Sequence, residues 1–77
     1  MKATDLLALL MRKPLRYKIT RQRGSHRVLE ADGYSIVRFS YHDGRTVSPG
    51  VVRKILVEDV GLSERDALDL LYGRWRG

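Results

Sequence analysis

The sequence predicts an α+β fold of order α-β-β-β-α with a three-stranded antiparallel sheet and a short extra C-terminal helix. Three observations carry that reading. A leucine-rich segment at helical spacing stops before Pro14, alternating segments flank Gly24-Ser25 and Asp32-Gly33, and two serine-led apolar stripes follow from Ser48 onward. Seventy-seven residues read as one domain over 1–77, with 73–77 as a flexible tail. A chain this short buries only about 60% of its unfolded surface. With no cysteine it has neither a disulfide nor a thiolate metal site, so the fold rests on packing.

Thr4 is the predicted N-cap of the first helix, and Asp5 places a negative charge in its first turn. Leu6, Leu9 and Leu10 then repeat at helical spacing until Pro14 forbids continuation. Leu15 to Thr20 alternates apolar and polar residues, as a strand with one face on the core does, and sends Arg16 and Lys18 to the other face. Arg23-Gly24-Ser25 is a turn, and a second strand follows near His26 to Glu30. Asp32-Gly33 signals a hairpin into a third strand over Tyr34 to Tyr41, with Ile36, Val37 and Phe39 in the core. Ser48-Pro49 opens a helix with Val51, Val52, Ile55 and Leu56 on one stripe, ended by Gly61. Ser63 to Asp66 is a capping-box-like start for the last helix, which buries Leu68, Leu71 and Tyr72 before Gly73.

The charge is segregated. The formal net charge is +6, and from Leu6 to Leu29 every charged side chain is basic: Arg12, Lys13, Arg16, Lys18, Arg21, Arg23 and Arg27. Such a strip attracts phosphate backbones through counterion release. The cations alternate as in a strand rather than lining a helix, which argues against a membrane-surface helix. The apolar run Leu6 to Met11 is far short of the roughly 20 residues that cross a bilayer, and it lacks the flanks of a signal peptide. The expectation is a cytoplasmic protein with no membrane partner. Within the strip lies Gly24-Ser25-His26, carrying one of two histidines, the side chain that exchanges a proton near neutrality.

The chain resembles the HicA-type toxins of bacterial toxin–antitoxin pairs. The likeness runs from the leucine-rich helix through Arg21-Gln22-Arg23-Gly24-Ser25-His26, the Asp32-Gly33 hairpin and His42 to Gly50-Val51-Val52-Arg53-Lys54-Ile55-Leu56. It implies a double-stranded-RNA-binding-domain-like fold, mRNA endoribonuclease activity, a HicB-type antitoxin covering the active site, and His26 as the catalytic histidine. The chain departs from the family in three places. Ser40 replaces a usual proline, Gly50-Val51 stands for Gly-Thr, and the stretch from Ile55 to Gly61 is longer than the family's by about one residue.

RNA cleavage needs a base for the ribose 2′-hydroxyl, cations for the charge growing on phosphorus and an acid for the leaving 5′-oxygen. His26 is the candidate base, with Arg23 and Arg27 beside it disfavouring its protonated form. Lys18, Arg21 and Arg23, with Ser25 and Arg27, form the candidate RNA-binding set. His42 and Tyr17 are accessory candidates for the acid, with water as the remaining option. No cofactor is expected, because no cluster has metal-ligand spacing and Gly24, Gly33 and Gly44 stand alone at turns rather than in a phosphate loop. A non-catalytic RNA- or DNA-binding module using the same face is the alternative, and a pure protein-interaction domain is a third reading. His42 also reads as a turn residue, and Tyr17, Tyr34, Phe39 and Tyr41 as core or edge packing. Arg74-Trp75-Arg76-Gly77 reads as an exposed tail.

Overall fold

A computed structural model describes residues 1–75. Helix α1 (Ala3–Met11) buries Ala3, Leu6, Leu9 and Leu10, as the leucine spacing requires. It starts one residue before Thr4, so Thr4 lies inside it and does not cap it. The Ala3 N–H, which has no partner within the helix, donates to the Arg45 carbonyl at 2.8 Å, while the Val47 N–H donates to the Met1 carbonyl at 2.7 Å. A distant loop therefore supplies the cap that the sequence assigned to a side chain.

The chain after Pro14 closes the helix before it enters the sheet. Arg16 adopts a left-handed φ of 59°. The Tyr17 N–H donates to the Leu10 carbonyl at 2.9 Å. Leu15 and Tyr17 are buried here, ahead of strand β1, which is Lys18–Arg23 rather than Leu15 to Thr20. Strand β2 is His26–Glu30, joined to β1 by the two-residue turn Gly24-Ser25. Only Gly24 has positive φ (60°) there, the pattern of a type II′ hairpin. Strand β3 is short, Val37–Phe39, and the sheet order is β1-β2-β3, antiparallel throughout. The turn at Asp32-Gly33 forms, but it opens a loop: the Tyr17 hydroxyl donates to the Ser35 carbonyl at 2.6 Å, and Ile36 is 50% exposed and outside the core.

Helix α2 (Pro49–Lys54) is capped by Ser48, whose Oγ accepts the Val51 N–H at 3.3 Å. It runs into a π-helical turn, Ile55–Asp59, where the Val60 N–H reaches back to the Ile55 carbonyl at 2.9 Å. A π turn takes in one more residue than an α turn, so the helix widens here before Gly61 ends it. Helix α3 (Glu64–Leu71) starts at Ser63, whose Oγ accepts the Asp66 N–H at 3.0 Å. Its buried residues are Ala67 and Leu70. Leu68 and Tyr72, expected inside, are exposed. Gly73, at φ 72°, turns the chain back. Arg74 and Trp75 then both donate backbone N–H groups to the Asp69 carbonyl, at 2.7 and 3.1 Å. Trp75 packs against the core, so residues 73–75 are folded back rather than forming a free tail. Arg76 and Gly77 lie outside the described residues.

One cluster joins Leu6 and Leu10 of α1, Leu29, Val37 and Phe39 of the sheet, and Val52, Ile55 and Leu56 of α2 and its π turn. The buried sheet residues share one face, leaving the other to solvent. Leu29 sits at the centre of that face with no exposure. Leu29→Ala is expected to lower stability by about 3 kcal/mol in urea unfolding. Leu68→Ala, on the exposed side of α3, is expected to change it by less than about 1 kcal/mol.

Candidate functional site

The open face is set by one irregularity in β1. Ile19 pairs with Leu29 but Arg21 pairs with Val28, so Thr20 is an extra residue, a β-bulge. In a regular strand Lys18 would lie on the opposite face from Arg21 and Arg23. The bulge turns both arginines over. Lys18, Arg21 and Arg23 then lie opposite Glu30, Val28 and His26, all on the face away from the core. Thr20 is pinned by its hydroxyl, which donates to Glu30 Oε2 at 2.7 Å.

His26 is exposed on this face, and among the described residues no hydrogen bond or ion pair restrains its imidazole. Arg23 is directly across from it, about 5 Å away between Cβ atoms, by the spacing of opposed residues. Arg21 and Arg38 lie on diagonals, about 7–8 Å away. Arg38, opposite Val28 in β3, belongs to the site and was missed from the sequence. Its signal was present: buried Val37 and Phe39 on either side force Arg38 outward. Ser25 is half-buried in the turn next to His26.

Three candidates are placed elsewhere. Arg27 points to the inner face, opposite Gln22 and Phe39, and its guanidinium pairs with Asp43 at 2.9 Å with only 11% of the side chain exposed. Its Nε and Nη1 are buried with no protein partner. Arg27 is therefore a strut between the sheet and the loop after β3, not part of the open face. Tyr17 is 1% exposed and hydrogen-bonded to Ser35, so its phenol does not reach solvent-borne substrate. His42 is exposed in the loop that Asp43 anchors, at the same end of the sheet as His26, and its carbonyl accepts the Arg45 N–H at 3.0 Å.

The cations divide sharply. Arg53, Lys54 and Arg74 pair with Glu64, Asp59 and Asp69 on the helical side. Among the described residues no carboxylate pairs with Lys13, Arg16, Lys18, Arg21, Arg23 or Arg38, and no three His, Asp or Glu side chains converge as a metal site. An apolar groove of about 510 Å³ lies between α2 and α3, lined by Met1, Val52, Val57, Ala67 and Leu68 together with the ion-paired Arg53 and Glu64, and His26 is not among its lining residues.

A family model described as the HicA toxin of bacterial toxin-antitoxin pairs matches residues 4–62. The chain belongs to the HicA toxin family. It is therefore the toxin of a toxin–antitoxin pair, and its partner is an antitoxin. Comparison with curated proteins and with solved structures finds no match. The HicA match contains the whole open face and ends before α3. Among the described residues no helix is long and apolar enough to cross a membrane.

Burial pushes the Tyr17 phenol from 10 up to about 12, and the charges of Tyr34 and Asp59 add to it. The folded state thus favours the neutral phenol. Its contribution is complete below pH 10 and is lost as pH rises through about 12. About 3 kcal/mol of alkaline destabilisation is expected from this group. Tyr17→Phe should remove that part of the loss in urea unfolding measured from pH 9 to 12.

Proposed function

We propose that this HicA toxin is a metal-independent endoribonuclease that cleaves mRNA in the cytoplasm, with His26 as general base, until a HicB-type antitoxin covers the open sheet face. The observation that carries the reading is His26 standing among Arg21, Arg23 and Arg38 on an uncovered face where, among the described residues, no carboxylate pairs with these cations.

The steps follow from that arrangement. A neutral His26 nitrogen takes the proton of a ribose 2′-hydroxyl, and the 2′-oxygen attacks the adjacent phosphorus. Arg23, with Arg21 and Arg38 on its flanks, stabilises the charge gathered on the phosphoryl oxygens. The 5′-oxygen leaves with a proton from water or from His42, whose loop lies at the same end of the sheet. The products are a 2′,3′-cyclic phosphate and a 5′-hydroxyl. Lys18 extends the phosphate track along β1. Base identity is not read by these groups, since cations on the backbone position a strand without specifying sequence.

Incubation with a defined mRNA in EDTA tests the chemistry. Wild type is expected to leave 2′,3′-cyclic ends, and His26→Ala is expected to bind the RNA equally while leaving it intact. Equal binding with no cleavage by either protein would establish a passive nucleic-acid-binding module instead. A second comparison separates the two sheet faces. Arg38→Ala should lower the slope of log affinity against log salt by about 0.7. Arg27→Ala should leave that slope unchanged and destabilise the fold by about 2 kcal/mol, because the buried end of its ion pair is lost.

A further inference from the structure

At the end of β1 remote from His26, Lys13, Pro14, Arg16 and Trp75 line an open cleft of about 440 Å³. Trp75 lies beyond the span of the HicA family match, whereas Lys13, Pro14 and Arg16 lie within it, so the segment after that span completes the cleft. The indole is half-buried: it packs on the core while also lining the cleft, and its backbone is held by the Asp69 carbonyl. Lys13 and Arg16 are exposed, and among the described residues neither meets a carboxylate. Arg16 is held at φ 59°, a backbone conformation that L side chains rarely adopt, at the point where the chain enters β1. A fixed aromatic face beside two free cations matches the chemistry of a nucleotide: a π surface for the base and positive charge for the phosphates on either side of it.

We propose that this cleft is a second RNA subsite, where a base of single-stranded RNA stacks on Trp75 while Lys13 and Arg16 hold the neighbouring phosphates. The inference rests on the reading of the open face as an RNA track. Arg16, Lys18, Arg21 and Arg23 lead from the cleft to His26, a distance of about 20 Å at the rise of a β-strand. The site selects long, unstructured substrates, because a dinucleotide cannot span it and a duplex hides its base faces. Every base has a π face, so the subsite adds affinity without sequence preference.

Trp75 is the only tryptophan, and its fluorescence reports the stack directly. Full-length protein carrying His26→Ala is titrated with a 12-nucleotide oligouridine, the equivalent duplex and a polyglutamate peptide. Saturable quenching by the single strand, weaker with duplex, is expected. In the same background Trp75→Ala and the double variant Lys13→Ala/Arg16→Ala should each bind the oligouridine about tenfold more weakly by anisotropy. The double variant removes only exposed side chains, so it decides the matter if Trp75→Ala fails to fold. With His26 intact, neither change should slow cleavage of a dinucleotide. Unchanged fluorescence at RNA saturation, double-variant affinity within twofold of the parent, or quenching by polyglutamate alone would overturn the subsite, the last in favour of an acidic protein partner. Quenching without any cleavage by wild type would sink the nuclease reading and leave the subsite standing. Cleavage without quenching would do the reverse.

Discussion

The open face of this protein depends on a single extra residue in β1. Without the bulge at Thr20, period-two alternation would put Arg21 and Arg23 on the core side with Ile19, where unpaired guanidiniums are strongly disfavoured. The bulge keeps Ile19 against Leu29 and still delivers both arginines to the face of His26. One strand thereby serves two environments. Its first half anchors the sheet to the core, and its second half lines a cationic surface. The Thr20 hydroxyl and Glu30 hold the irregularity in place, and among the described strand residues Glu30 is the one acid on that face.

Charge pairing divides the molecule in the same way. Acids in α3 and the π turn neutralise Arg53, Lys54 and Arg74 on the helical side, while the β1 cations have no such partners among the described residues. Unpaired like charges on a small domain repel one another, a modest cost that a bound polyanion removes. Arg27 follows a different logic. Turned inward beside Phe39, it reaches Asp43 and ties down the loop carrying His42. That loop continues into the segment whose backbone caps α1, so sheet, loop and helix N-terminus form one connected support at the His26 end.

The helical layer departs once from regular α-helical pitch. The segment Ile55–Asp59 continues α2 as a π turn, and Ile55 and Leu56 stay buried. The chain beyond then forms α3 and folds Trp75 back onto the core, adding surface outside the span matched by the family.

Much of this was legible from local chemistry. Pro14 ending α1, the Gly24-Ser25 turn, the Ser48 and Ser63 caps and the β2 boundaries all depend on neighbours within a few residues, so the sequence by itself determined them, along with the α+β order and the cationic strip. The motif around His26 was equally local, and it led to the family. What only the tertiary structure decided depends on register and on distant partners. Alternation sees one strand at a time, so it had no means of showing that a bulge gathers Lys18, Arg21 and Arg23, that Arg38 joins them across β2, or that Arg27 turns inward to Asp43. Burial of Tyr17, the backbone cap on α1 and the return of Trp75 onto the core likewise arise from groups far apart in sequence. Their bonds exist only once the chain has closed.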